Sequence, residues 1–155
     1  MVEQFGTPRE IYDKPATMFV ADFIGSPSMN FLDFSGAVAP QDVSVNLSGH
    51  TIQVPAMREE AQGDLVFGVR PEHIYLNDDG VFRGTVLAAE YLGTTQIVTL
   101  ATSNGELKAR IGSEFMATVG DNVGIGFRSD SVTLFERASG RALRSALNEE
   151  VIAHG

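Results

Sequence analysis

From Ala16 to Ile24 the apolar residues recur at spacings of three and four, and beyond Asn30 they switch to spacings of two. The first part therefore predicts helices and the second predicts strands. Thr7, Pro8 and Glu10 form a capping box with proline at the first helical position, so a short helix runs over about Pro8 to Asp13. Pro15 ends it by disfavouring the helical conformation at Lys14. Ala16, Phe19, Val20, Phe23 and Ile24 then make one stripe, with Thr17 and Asp22 opposite, Gly25 as a left-handed cap and Pro27 as a stop. Helices this short are marginal alone, so the stripe has to be held by packing.

The strand region opens at Phe31 to Phe34. Val43 to Leu47 pairs with Thr51 to Val54 across Ser48-Gly49-His50, a loop of hairpin length. A polar stretch from Met57 to Gly63 precedes Leu65 to Arg70. Further strands are expected over Val81 to Leu92, Gln96 to Ala101, Glu106 to Ile111, Val123 to Phe127 and Val132 to Phe135, with a turn at Ser103-Asn104-Gly105. Many short strands, with 16 glycines at bends, predict a small barrel or sandwich. Residues 1–29 are read as a helical junction, 30–144 as the β domain and 145–155 as a tail, weakly helical or disordered.

With 155 residues, 43% of them hydrophobic, the chain can bury a real core. No apolar run approaches the roughly 18 residues of a membrane span, and the start of the chain lacks the basic and apolar regions of a signal peptide, so a cytoplasmic location is expected. There is no cysteine, hence no disulfide or thiolate chemistry. A net charge of −9 and the absence of tryptophan argue against a nucleic-acid partner, which needs Lys and Arg against phosphate and aromatics for stacking.

No catalytic constellation is visible. The phosphate-binding loop G-x-x-x-x-G-K-[ST] and the nucleophile elbow G-x-S-x-G are both absent. Leu47-Ser48-Gly49-His50 is better read as a hairpin turn than as a transporter signature loop. His50, His73 and His154 are scattered, Asp78-Asp79 lacks the spacing of a calcium loop, and Ser26 has no base. Neither a catalytic residue nor a metal or cofactor site is assigned.

One stretch says more: Gly68-Val69-Arg70-Pro71-Glu72-His73, where a strand runs into a proline flanked by a cation, an anion and a titratable ring. Arg70 is the natural carboxylate binder for a partner. The alternative, favoured by residue chemistry alone, is a junction where Arg70 and Glu72 pair locally and His73 packs.

These residues also carry a resemblance. Val2 to Pro8, Ile11 to Ala16, Phe19 to Pro27 with Met29-Asn30-Phe31, the Gly68–His73 stretch, Glu90-Tyr91-Leu92-Gly93, and Val132 to Phe135 followed by Gly140 to Leu143 resemble the C-terminal portion of ABC transporter ATP-binding subunits. The narrower likeness is to the maltose- and glycerol-3-phosphate-type importers. That resemblance implies a mainly β, OB-fold-type (TOBE or MOP-like) β-barrel with two short N-terminal helices, serving regulation and dimerisation in the import of a sugar or glycerol-3-phosphate-type solute.

It further implies a homodimer, two membrane permease subunits and a regulatory protein as partners, and a peripheral position at the inner face of the membrane. ATP and Mg would belong to a nucleotide-binding domain before Val2, so this chain itself should hold no cofactor and hydrolyse no ATP. Phe19, Phe23, Ile24 and Phe31 become candidate interdomain or subunit contacts, and Arg70, Glu72 and His73 candidate regulatory contacts, with the loops near Gly93 and Gly112 beside them. A severed interface of this kind should be covered by a second surface. A MOP-like domain that senses a small ligand or oxyanion is the alternative, though no hydroxyl-rich and basic S-A-R-N-like pattern is present, and a freestanding enzyme is a third.

Overall fold

The computed structural model describes residues 6–149. Val2 to Phe5, His154 and the end of the tail lie outside them.

The helical region forms as the caps dictate. Thr7 Oγ1 accepts from the Glu10 amide at 3.1 Å and the Glu10 carboxylate accepts from the Thr7 amide at 3.2 Å, which fixes α1 (Pro8–Asp13). Thr17 Oγ1 accepts from the Val20 amide at 3.2 Å and starts α2 (Met18–Phe23), so Ala16 of the stripe stays outside the helix. Gly25 closes α2 with φ +109°, the left-handed cap that its sequence position predicts.

Ten strands follow. A three-stranded antiparallel sheet has the order β1 (Asn30–Val38), β4 (Ala61–Val69), β10 (Thr133–Glu136). The hairpin β2 (Ser44–Leu47)–β3 (His50–Gln53) is present, but its turn is shorter than expected: only Ser48 and Gly49 turn, and His50, read as part of the loop, opens β3 opposite Leu47. The third sheet has the order β5 (Ile74–Leu76), β9 (Asn122–Phe127), β6 (Arg83–Tyr91), β7 (Thr95–Thr102), β8 (Gly105–Gly112). β4 is longer than its hydrophobic run: Ala61 to Gly63, expected in a polar connection, pair with Val38 to Gly36 of β1. Only its second half, Leu65 to Val69, is buried throughout, which is why only that half was conspicuous. β5 was not foreseen, since three residues are too few to show alternation.

One core lies between the curled sheets, built from Leu32, Leu47, Leu65, Phe67, Val86, Leu100, Leu107 and their neighbours. Phe67 meets Phe127 edge-on with centroids 4.9 Å apart. A second, smaller cluster of Ala21, Met29, Val66, Phe135 and Ala142 forms where α2 covers β4 and β10. Gly68 permits that close approach: a Cβ there would stand 2.6 Å from the Phe135 ring and 2.8 Å from the Met29 sulfur.

Past Arg144 the described chain stays folded. Met57 bridges to Ser145, Asn148 Nδ2 donates to the Leu143 carbonyl at 3.0 Å, and its Oδ1 accepts from the Ser145 amide at 2.8 Å. Ser145 and Asn148 are both buried in a turn, and the Glu149 amide donates to the Ser145 carbonyl at 3.0 Å; the rest of the tail, expected as a weak helix or disorder, lies outside the described residues.

Candidate functional site

Two sets of residues meet where the helices join the β domain. Arg70 leaves the end of β4 just before a 3-10 turn, Pro71–His73, and is only 1% exposed. Its Nη1 donates to the carbonyls of Ala21 at 2.9 Å and Ile24 at 2.6 Å, and its Nη2 donates to that of Tyr12 at 2.9 Å. These are carbonyls of the last turns of α1 and α2, which have no partner within their helices and carry the negative end of the helix dipole. The guanidinium also lies 4.1 Å from the centroid of the Tyr12 ring, and the Tyr12 hydroxyl donates to the Glu72 carboxylate. Arg70 thus latches both helices to the β domain.

Burial is the largest influence on Arg70 and draws its guanidinium below the usual arginine range, against the pull of Tyr12 and Glu72. Tyr12 is pushed up to about 12, chiefly by burial, then by its hydrogen bond to Glu72 and that carboxylate's charge. Gly25 leaves room for the latch, because a Cβ there would sit 3.2 Å from Arg70 Nη1 and 3.3 Å from the Tyr12 ring. Arg70 Nε and His73 Nδ1 are buried with no hydrogen-bond partner.

The helical segment has a second tether. The Met18 amide donates to the Gly140 carbonyl and the Ala142 amide to the Ala16 carbonyl, both at 2.8 Å. The same turn is held to the loop before β4 by Glu59, whose carboxylate accepts from both terminal nitrogens of Arg141 at 2.7 and 3.0 Å and from the Arg144 amide at 2.8 Å.

With the segment clamped on this side, α2 buries Val20 and Ala21, while Phe19 is 55% and Phe23 69% exposed. The two rings stack with centroids 6.2 Å apart and planes 14° from parallel. Ile24 is half-buried, and the half-buried Phe31 meets Phe135 edge-on at 5.8 Å. The structure therefore separates the candidates: Arg70 points inward, Glu72 is exposed, His73 is half-buried, and Phe19 and Phe23 form an outward aromatic pair.

Three further residues build this junction: Tyr12 and Asn30 lie in stretches that carry the family resemblance but are given no role by it, and Glu59 has no mark in the sequence. Tyr12 supplies both a carbonyl and a ring to Arg70. Glu59 ties the 141–144 turn. Asn30 closes the seam between sheets, accepting from the Lys108 amide at 2.8 Å and donating to the carbonyls of Lys108 at 2.9 Å and Val69 at 3.1 Å. Asn30 also opens β1, and a polar residue that begins a strand gives no hint of burial.

Among the described residues no group of three His, Asp or Glu could hold a metal ion, and no helix is long and apolar enough to cross a membrane. Open clefts line the surface; one, bordered by Tyr12, Ser26, Pro27, Glu72 and Arg110, lies over the latch.

A β domain of this topology, with two short helices clamped against it, is an OB-fold-type module. The family model described as "MalK OB fold domain" matches residues 25–74, and the one described as "TOBE domain" matches residues 67–135. The chain belongs to the TOBE and MalK-type OB-fold domains found in the ATP-binding subunits of ABC importers.

Among curated relatives, the sn-glycerol-3-phosphate import ATP-binding protein UgpC of Vibrio vulnificus is 36% identical over 99% of this chain and 42% of its own length. The trehalose/maltose import ATP-binding protein MalK of Thermococcus litoralis is 32% identical over 92% of this chain and 42% of its own length. The chain thus spans about two fifths of the relatives it matches. A solved structure of the cytoplasmic molybdate-binding protein ModG aligns with 68% of this chain and 94% of its own at 16% identity, with a TM-score of 0.49, too slight a likeness to bear on function.

Proposed function

We propose that this chain is the regulatory and dimerisation portion of an importer's ATP-binding subunit, for a sugar or a glycerol-3-phosphate-type solute. The observation that carries this reading is the adjacency of the two family matches, which together take in residues 25–135, in relatives whose names are those of import ATP-binding proteins. The nucleotide-binding portion, with ATP and Mg, would lie in the part of those relatives that this chain does not span. Phe19 and Phe23 would face it or the second subunit, and the assembly would sit at the cytoplasmic face of the membrane against two permeases.

The latch supplies a route for control. Two ATPase portions must close on each other to act, and a partner that binds one state better shifts that equilibrium by its differential affinity. A contact at the exposed Glu72 or the half-buried His73 is one residue or two from the Arg70–Pro71 bend, and Arg70 holds the helices that carry Phe19 and Phe23. A regulatory protein docking on the 71–73 turn would thus act on the aromatic pair through Arg70.

The test is a chimera in which this chain replaces the matching residues of the Vibrio vulnificus protein, expressed in cells lacking that protein. Restored solute uptake is expected, while the isolated chain releases no phosphate from ATP. A chimera that accumulates normally yet supports no uptake contradicts the reading.

A further inference from the structure

β6 outruns one of its neighbours. β9 accompanies it only from Arg83 to Thr85, and after a register shift between Val86 and Ala88 the strand continues beside β7 alone, leaving an open edge. The loop 113–121 is strapped across this end of the sheet at three points. Val86 donates to the Asp121 carbonyl at 2.9 Å and accepts from the Gly120 amide at 2.8 Å, and the Ser113 amide donates to the Thr94 carbonyl at 3.0 Å. Gln96, wholly buried, donates from Nε2 to the carbonyls of Gly112 at 3.1 Å and Phe115 at 2.6 Å.

These straps gather apolar side chains from both segments. Tyr91 opposes Gln96 in the ladder, so its ring shares the face on which Gln96 reaches the loop, and Met116 follows the Phe115 that Gln96 holds. At the other strap Leu87 follows Val86 and Val119 precedes Gly120. Leu87 is 44%, Tyr91 55%, Leu92 47%, Met116 81% and Val119 69% exposed. They are five of the ten large apolar side chains exposed among the described residues, so this is a concentration and not the scatter that any surface shows.

The charges around the patch have one sign. Glu90, Glu114 and Asp121, all exposed, stand next in sequence to Tyr91, Phe115 and Gly120. No Lys or Arg occurs between Arg83 and Lys108, or between Arg110 and Arg128. The flanking arginines are engaged elsewhere. Arg83 binds Asn122 and the carbonyls of Asp78 and Gly80, while Arg110 opposes Ile97, on the face away from Tyr91, and donates to the Ser26 carbonyl.

We propose that this end of the β domain, Leu87–Leu92 with Met116–Val119, docks a basic amphipathic helix of another protein. The helix lays its apolar face on the patch and its Lys or Arg side chains toward Glu90, Glu114 and Asp121. Charge selects this occupant. A second copy of the chain, with net charge −9, would set the same carboxylates against these, and an anionic lipid surface is repelled in the same way. An added strand finds too little edge: the Leu92 amide donates to the Thr95 carbonyl at 2.8 Å, so positions 88, 90 and 92 face β7, the outward groups of Val86 are already held, and only Ala89 and Tyr91 are left to pair. Met116, unbranched and polarizable, adapts to the side chains of a helix laid across it. The surface shares no residue with the 71–73 turn and does not depend on the importer reading.

Fluorescence anisotropy on the full chain tests this with a labelled helical peptide of about 18 residues, leucines on one face and lysines on the other. The peptide is expected to bind, more weakly as salt is raised past the physiological range. Tyr91→Ser with Met116→Ser should weaken binding by roughly tenfold or more. Glu90→Gln with Glu114→Gln and Asp121→Asn should weaken it severalfold and remove the salt dependence. All five side chains are exposed, and circular dichroism checks that the fold is retained. Phe19→Ser with Phe23→Ser is expected to leave binding unchanged. Absence of binding, binding that survives both patch variants or is lost only with the phenylalanine pair, or equal binding of a peptide with glutamate in place of lysine overturns the proposal. Capture of phosphatidylserine vesicles through Tyr91 and Met116 also overturns it, in favour of a membrane. Each of these results leaves the importer reading to its own test, the chimera.

Discussion

The guanidinium of Arg70 lies over the ring of Tyr12 and at the same time donates to the Tyr12 backbone carbonyl at 2.9 Å. One side chain from the end of β4 thereby satisfies both the face and the backbone of a residue in α1, and reaches α2 with its other nitrogen. Lysine can supply the charge but neither the fork nor the stack. Arg70→Met is expected to cost about 3–5 kcal/mol, the scale of breaking a buried charged network, with Arg70→Lys in between. Hydrogen exchange should show the loss falling on residues 8–24 while β7 and β8 keep their protection.

Tyr12 gives the junction a pH dependence. Its hydroxyl is pushed from an ordinary 10 up to about 12, so between those values the folded chain keeps a proton that the unfolded chain has lost. The contribution is therefore complete below about pH 10 and is lost as pH rises toward 12. Denaturant unfolding followed through that window should decline more steeply for the unmodified chain than for Tyr12→Phe, and tyrosinate absorbance should lack its latest-titrating component in the variant.

Glu59 works in the opposite direction. The paired hydrogen bonds from Arg141 hold its carboxyl below the ordinary 4.5, helped by the Arg144 amide and by the charges of both arginines, and opposed by burial. A lowered carboxyl pKa stabilises the fold above the unfolded value and ceases to do so as pH falls through the folded one. Glu59→Gln should lose about 1–2 kcal/mol near neutral pH, as expected for a bidentate, partly shielded pair. The denaturation midpoints of the two proteins should converge in acid.

Phe19 and Phe23 present the reverse case, since their exposure means that the isolated chain gains little from them. Phe19→Ser with Phe23→Ser is expected to change the stability of this chain by less than about 1 kcal/mol. In the chimeric subunit the same pair should reduce uptake severalfold. Thermal unfolding and uptake measured on the same variants separate the two effects.

How far the sequence reveals this molecule depends on how local each cause is. α1 is legible because its capping box lies within four residues, and the β2–β3 hairpin because its turn and its two alternating runs are adjacent. The Ser103-Asn104-Gly105 turn is also where it was read, with the positive φ of 130° on Gly105. The buried face of α2 is not legible. Periodicity groups Phe19 and Phe23 with Val20, but the choice among them is made by Val66, Phe135 and Ala142, which arrive from distant strands.

Arg70 was singled out by its residue type, which suits a carboxylate. Its actual ligands are backbone carbonyls 46 to 58 positions away, groups that every residue possesses and no pattern announces. The open edge of β6 was equally hidden, because alternation marks a strand without saying how far its neighbour follows it.

The self-association proposed for this chain is tested most directly by sedimentation equilibrium of the unmodified 155-residue chain. The expected mass rises with concentration from 16.7 kDa toward twice that value, with no larger species. A mass that stays at that of the monomer up to the highest soluble concentration would contradict it.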